Sequence, residues 1–127
     1  MVLGIGVDVV EVARLSRALE KHPVRLEERV FTAEERSDCA GRVDRDLALA
    51  ARFAAKEACL KALGTGWAGG VSFLQVEVQR DAAGRPSLRL HGRAAETAAG
   101  LGVTATHLSL SHQPSVAVAV VVLEGEG

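Results

Sequence analysis

Asp8 and Glu57 are the two carboxylates whose neighbours suit them to chemistry. Asp8 ends the run Gly4-Ile5-Gly6-Val7-Asp8. Glu57 lies in Arg52-Phe53-Ala54-Ala55-Lys56-Glu57-Ala58-Cys59-Leu60-Lys61-Ala62-Leu63-Gly64-Thr65-Gly66. A pair of carboxylates is a candidate site for a hard cation. Mg2+ takes one or two of them, keeps several waters and borrows its remaining ligands from substrate phosphates. Lys61, the Gly64-Thr65-Gly66 amides and His107 would complete a phosphate pocket beside such a cation. This set points to phosphoryl or phosphodiester transfer, where catalysis is mostly positioning and charge neutralisation.

Plainer explanations exist for each residue. Asp8 can cap the helix that follows it. Glu57 and Lys61 form an i,i+4 pair of the kind common on helix surfaces, worth about 0.3–0.5 kcal/mol. Gly-Thr-Gly is a common helix stop and has neither Walker A spacing nor the dinucleotide fingerprint. A serine hydrolase using Ser109 or Ser111 with His107 or His112 would lack a GxSxG elbow, and one extended strand does not hold nucleophile and base together. A non-catalytic binding module, with the two carboxylates paired to arginines, is a further reading that metal-dependent turnover would exclude.

The elements that must position these residues follow from pattern. Residues 2–10 alternate as a strand, with Leu3, Ile5, Val7 and Val9 on one face and Gly4, Gly6 and Asp8 on the other. The second face is bare enough for another element or a ligand to approach closely. Residues 12–21 read as a helix with Val12, Leu15 and Leu19 inward and Arg14, Arg17 and Lys21 outward, stopped by Pro23. A short helical segment is expected at 25–30, and Thr32-Ala33-Glu34-Glu35 is a capping box opening a helix to about Ala40.

The central helix carries Leu49, Phe53, Leu60 and Leu63 as its core stripe, with Arg52 and Lys56 along one rim and Glu57 and Lys61 along the other. Asp44 or Asp46 would cap it, and Gly64 would close it in a left-handed turn. A strand over 72–80, with Leu74, Val76 and Val78 on one face, pairs with one over 87–91 as a hairpin, and 94–101 forms a helix ended by Gly102. His107, Ser109 and Ser111 alternate with Leu108 and Leu110, and 116–123 is an aliphatic strand, central and covered on both faces. The order implies an α+β fold, a mainly antiparallel sheet packed with a long central helix, as one domain over residues 1–127.

Composition bounds the remaining classes. With 127 residues, 48% hydrophobic and 3% aromatic, aliphatic side chains and alanine must fill the core. A net charge of −1 gives no global attraction to nucleic acid or membrane. The longest apolar run is too short to span a bilayer, and Met1-Val2-Leu3-Gly4 lacks the basic start of a signal peptide. Cys39 and Cys59 have no zinc spacing and suit buried thiols in a cytoplasmic protein.

Three blocks stand in a recognisable order: Gly4 to Glu11, Arg52 to Gly66, and His107-Leu108-Ser109-Leu110-Ser111-His112. They resemble the small, single-domain branch of the 4′-phosphopantetheinyl transferases, the holo-acyl-carrier-protein synthases, over nearly the whole chain. The resemblance implies transfer of phosphopantetheine from coenzyme A to a serine of apo-acyl carrier protein, leaving adenosine 3′,5′-bisphosphate. It implies Mg2+ held by Asp8 and Glu57, with Lys61 neutralising the pyrophosphate and a candidate to protonate the leaving group.

It further implies that Glu57, or a water it positions, takes the serine proton, and that Gly64, Thr65 and Gly66 hold phosphate. Arg52 and His107 would lie near the nucleotide end, and Ser109 is a further expected substrate-binding residue. Family members are homotrimers with sites between subunits. Acyl carrier proteins are acidic, so Arg14, Arg17, Lys21 and Arg25 are the expected docking strip. Fatty acid synthesis is the expected setting, with a polyketide carrier equally open.

Overall fold

The computed structural model describes residues 1–66 and 68–126. In chain order the elements are β1 (Val2–Glu11), α1 (Val12–Lys21), α2 (Arg25–Val30), α3 (Ala33–Cys39), α4 (Arg45–Leu63), β2 (Val76–Arg80), β3 (Pro86–Leu90), α5 (Gly92–Leu101), β4 (Val103–Gln113) and β5 (Val116–Gly125). One antiparallel sheet has the order β1-β5-β4, and β2 and β3 form a separate antiparallel hairpin. The aliphatic strand is central, as expected. Ala117, Ala119, Val121 and Leu123 face α4 and are buried.

The expectation that β5 is covered on both faces does not hold within one chain. Val118, Val120 and Val122 are half-buried, and beside them on β1 stand Ile5, Val7 and Val9, 67%, 52% and 61% exposed. The larger apolar side chains of β1 therefore point outward. The reason is the other face: a methyl group at Gly6 would overlap the Ala58 carbonyl oxygen, and one at Gly4 would overlap that of Ala62. Helix and strand pack backbone against backbone, which only glycine permits.

Helix α4 spans 19 residues and is buried on nearly every side, not along one stripe. The sheet covers one flank, and α3 and β2 lie against another. Arg52 and Lys56, expected at a rim, are therefore interior, 1% and 0% exposed. The Lys56 Nζ lies 2.7 Å from Glu35 Oε1 and donates to the carbonyl oxygens of Phe73 and Val76 at 3.0 and 2.6 Å. Removing one partner of such a buried pair costs about 3–5 kcal/mol, because the other charge is left uncompensated.

That lysine also explains why the strand expected from Ser72 begins only at Val76. Residues Phe73–Gln75 form a 3-10 turn that brings two carbonyls three residues apart to one ammonium, and Leu74 is left exposed. The capping box at Thr32 is present in both halves. The α4 cap differs from expectation. Asp44 occupies the cap position, but its carboxylate is held by Arg42, while Asp46 accepts from the Ser16 hydroxyl at 2.6 Å. Both cysteines are free and buried, and burial pushes the Cys59 thiol up to about 12.

Candidate active-site cleft

Phe53, Glu57 and Lys61 succeed one another at four-residue steps along α4, and all three line one cleft of about 600 Å3. The glycine contacts dictate what stands opposite. Gly4 lies at Ala62 and Gly6 at Ala58, so β1 runs antiparallel to α4, and the next inward residue is Asp8. Helical side chains lean towards the N-terminus, so Lys61 reaches back along the strand. Its Nζ donates to the Val7 carbonyl oxygen at 3.0 Å and to Asp8 Oδ1 at 3.1 Å. Asp8 thus lines the cleft from within the strand and does not cap α1, whose N-cap position is Glu11.

The charge on the site is unbalanced. Burial first, and the neighbouring Asp8 charge second, push the Glu57 carboxyl above its ordinary range, with Lys61 opposing. Acidic side chains outnumber basic ones in the lining, with Asp8, Glu11 and Glu57 against Arg14 and Lys61. An all-oxygen donor pair with unbalanced charge fits a hard divalent cation. Among the described residues no three His, Cys, Asp or Glu side chains gather into a metal-binding group. Any ion here would take most of its ligands from water and substrate.

Other expected site residues lie elsewhere. Arg52 is interior; its Nη1 donates to the Ala48 carbonyl oxygen at 3.1 Å, and its Nε has no hydrogen-bond partner among the described residues. Gly64 closes α4 with φ +77°, as expected, but its amide donates to Leu60 and Lys61, and Gly64, Thr65 and Gly66 do not line the cleft. The Thr65 hydroxyl donates to the Gly66 carbonyl oxygen at 3.4 Å. His107 and Ser109 pair across from Val122 and Val120, on the outer sheet face, whereas Asp8 pairs with Ala119 on the α4 face. Within one chain the sheet separates them from the cleft. His107 Nε2 instead lies 3.0 Å from Glu124 Oε1.

The basic strip has the expected exposure. Arg14 borders the cleft, Arg17 and Lys21 continue along α1, and Arg25 opens α2. None of the four forms an ion pair among the described residues. Sequence reasoning passed over Glu11 and Phe31, which also line the cleft. Phe31 had a usable signal as one of only three phenylalanines in an aliphatic chain.

Known proteins share this sequence and fold. The profile of the 4′-phosphopantetheinyl transferase superfamily matches residues 4–121. The chain is 53% identical over 130 residues to the holo-[acyl-carrier-protein] synthase of Anaeromyxobacter sp. (strain K), covering 100% of this chain and 99% of that protein. The crystal structure of holo-[acyl-carrier-protein] synthase from Neisseria meningitidis superposes with a TM-score of 0.90 at 35% identity, covering 98% of this chain and 99% of that one. The Bacillus anthracis holo-(acyl-carrier-protein) synthase, solved in complex with CoA (3′,5′-ADP), gives 0.81 at 39% identity, with 99% of each chain covered. With matches of this extent over nearly the whole chain, the chain belongs to the holo-[acyl-carrier-protein] synthase family of the 4′-phosphopantetheinyl transferase superfamily.

Proposed function

We propose that this chain, as one transferase domain over residues 1–127, moves the 4′-phosphopantetheine group from coenzyme A to a serine of apo-acyl carrier protein. The products are holo-carrier protein and adenosine 3′,5′-bisphosphate. The observation that carries the reading is the convergence of Asp8, Glu57 and Lys61 on one cleft in a chain of this family. Relatives bearing the synthase name, one solved with coenzyme A, support the donor and the acceptor.

Asp8 and Glu57 would hold Mg2+, which when bound supplies charge neutralisation at the pyrophosphate. Lys61 would leave Asp8 for the pyrophosphate and donate a proton to the departing bisphosphate. Glu57, or a water it orients, would accept the proton of the carrier serine as its oxygen attacks phosphorus. Arg14, Arg17, Lys21 and Arg25 would receive the acidic carrier.

His107 and Ser109, with the Gly64–Gly66 loop, are assigned to nucleotide and phosphate binding between subunits of a homotrimer, and Arg52, interior in this chain, is left out of that set. The uncovered apolar face of β1 and β5 supports assembly, because a second copy laid on it would bury Ile5, Val7 and Val9. Two free, buried thiols suit a cytoplasmic setting, and among the described residues no helix is long and apolar enough to cross a membrane. The deciding experiment is the intact mass of an apo-carrier protein after incubation with this protein, coenzyme A and Mg2+. A mass increase of one phosphopantetheine, abolished by EDTA, is expected. An unchanged carrier mass would leave the binding-module reading in its place.

A further inference from the structure

We propose that the buried Glu35–Lys56 pair is a positioning device: it fixes how α4 is rolled about its axis, and so where Glu57 and Phe53 stand in the cleft. The proposal rests on the transfer reaction proposed above. Lys56 directly precedes Glu57 and projects to a different side of the helix. Its ammonium is bonded in three directions, to Glu35 Oε1 at 2.7 Å and to the Phe73 and Val76 carbonyl oxygens at 3.0 and 2.6 Å. Glu35 is itself fixed, accepting from the Thr32 amide at 2.8 Å and the Val78 amide at 2.8 Å. One pair thus ties α4 to α3 and β2, with both side chains 0% exposed.

The same ammonium sits behind the apolar wall of the cleft. It lies 5.9 Å from the centre of the Phe31 ring, and Phe31 lines the cleft. Phe53, which also lines it, packs on Phe73 with ring centres 5.2 Å apart, and Phe73 offers its carbonyl oxygen to Lys56. Of the three phenylalanines, Phe31 and Phe73 meet this lysine directly, by ring and by carbonyl oxygen, and Phe53 is linked to it through Phe73.

Directional bonds add what the β1 contact does not supply. Gly4 and Gly6 meet α4 through the backbone of Ala62 and Ala58, so at β1 no pair of interlocking side chains sets the roll of the helix. A carboxylate about 6 Å from a helix axis moves about 1 Å for a roll of about 10°. A misplacement of that size can cost about 100-fold in rate.

The test compares wild type with Lys56→Met, Lys56→Arg and the double variant Glu35→Gln/Lys56→Met, all labelled with 4-fluorophenylalanine. Kinetics are taken per folded protein, well below each melting temperature. Lys56→Met is expected to lose at least about 10-fold in kcat with the KM for coenzyme A within about threefold. Lys56→Arg should recover part of that loss. The double variant should stay slow even where its melting temperature exceeds that of Lys56→Met. The fluorine resonances should shift or broaden in Lys56→Met and the double variant, with no coenzyme A or carrier present.

Wild-type kcat in the folded double variant, or unmoved fluorine resonances, overturns the proposal. So does a set of variants none of which folds, since the pair is then a stability element alone. Absence of transfer by wild type overturns the proposed reaction instead, and the fluorine spectra then decide the positioning question by themselves.

Discussion

The Lys61 ammonium lies 3.1 Å from Asp8 Oδ1 and 3.0 Å from the Val7 carbonyl oxygen, so one side chain joins α4 to β1 across the mouth of the cleft. Lys61 is more than half exposed there, whereas Asp8 is mostly covered. An exposed ammonium holding a sheltered carboxylate costs little to detach. It can therefore follow charge that develops on a bound phosphate.

Replacing Lys61 with methionine should lower kcat by about 100-fold and raise the KM for coenzyme A by much less. Steady-state kinetics with a mass readout of the carrier checks this. A change confined to KM would make Lys61 a ground-state binder and leave the departing bisphosphate to another proton donor.

Asp8→Ala and Glu57→Ala should each abolish most of the transfer, by about 100-fold or more, while the chain stays folded. Mn2+ binding followed by electron paramagnetic resonance in the presence of coenzyme A should weaken in parallel. Either variant working at near wild-type rate removes its carboxylate from the metal site.

Arg14→Glu, alone or with Arg25→Glu, should raise the KM for carrier protein several-fold and leave coenzyme A binding nearly intact. Wild-type turnover at sub-saturating carrier should fall as NaCl is added, and the variants should lose much of that dependence. Identical salt responses and equal carrier KM values would move docking off this strip.

Val120→Glu places a charge on the outer sheet face, between Val7 of β1 and Ser109 of β4. Sedimentation equilibrium should show a trimer for wild type and a monomer for the variant, with transfer lost although the Asp8 cleft is untouched. A wild-type monomer with full activity would refute the intersubunit site.

Glu77 supplies a pH test away from the cleft. Burial works against its ionisation, but hydrogen bonds from Thr32 and His91, with the His91 and Lys56 charges, outweigh it and hold the carboxyl below its ordinary range. A depressed carboxyl stabilises the fold above the ordinary carboxylate range and loses that contribution as pH falls through it. Glu77→Gln should therefore melt roughly 3–6 °C lower at pH 7, with the difference shrinking below about pH 4. Calorimetry across that range measures it, and a constant difference would detach the effect from ionisation.

Local chemistry made much of this legible. Thr32 to Glu35 spelled its capping box, Gly64 its left-handed stop, and the period of two in β1 set Asp8 beside Gly4 and Gly6 on a bare face. What escaped was decided by tertiary partners. Lys56 read as a rim charge because nothing local reveals Glu35 and two carbonyls waiting in the interior, and Arg52 because nothing local shows that other elements cover its side of α4. The strand expected from Ser72 fails for the same reason. Alternation identified His107 and Ser109 as sharing a face, yet it says nothing about which face adjoins Asp8.

The bare face of β1 has one more consequence. A gap set by side chains is elastic, since rotamers exchange and neighbours repack. Between Gly6 and Ala58 the gauge is two peptide backbones in contact, and neither has a torsion free to widen or narrow it. The spacing of strand and helix beside the cleft is set by van der Waals contact between two hydrogen-bonded backbones. It should therefore drift little with temperature, and the place to look for its failure is a single added methyl group.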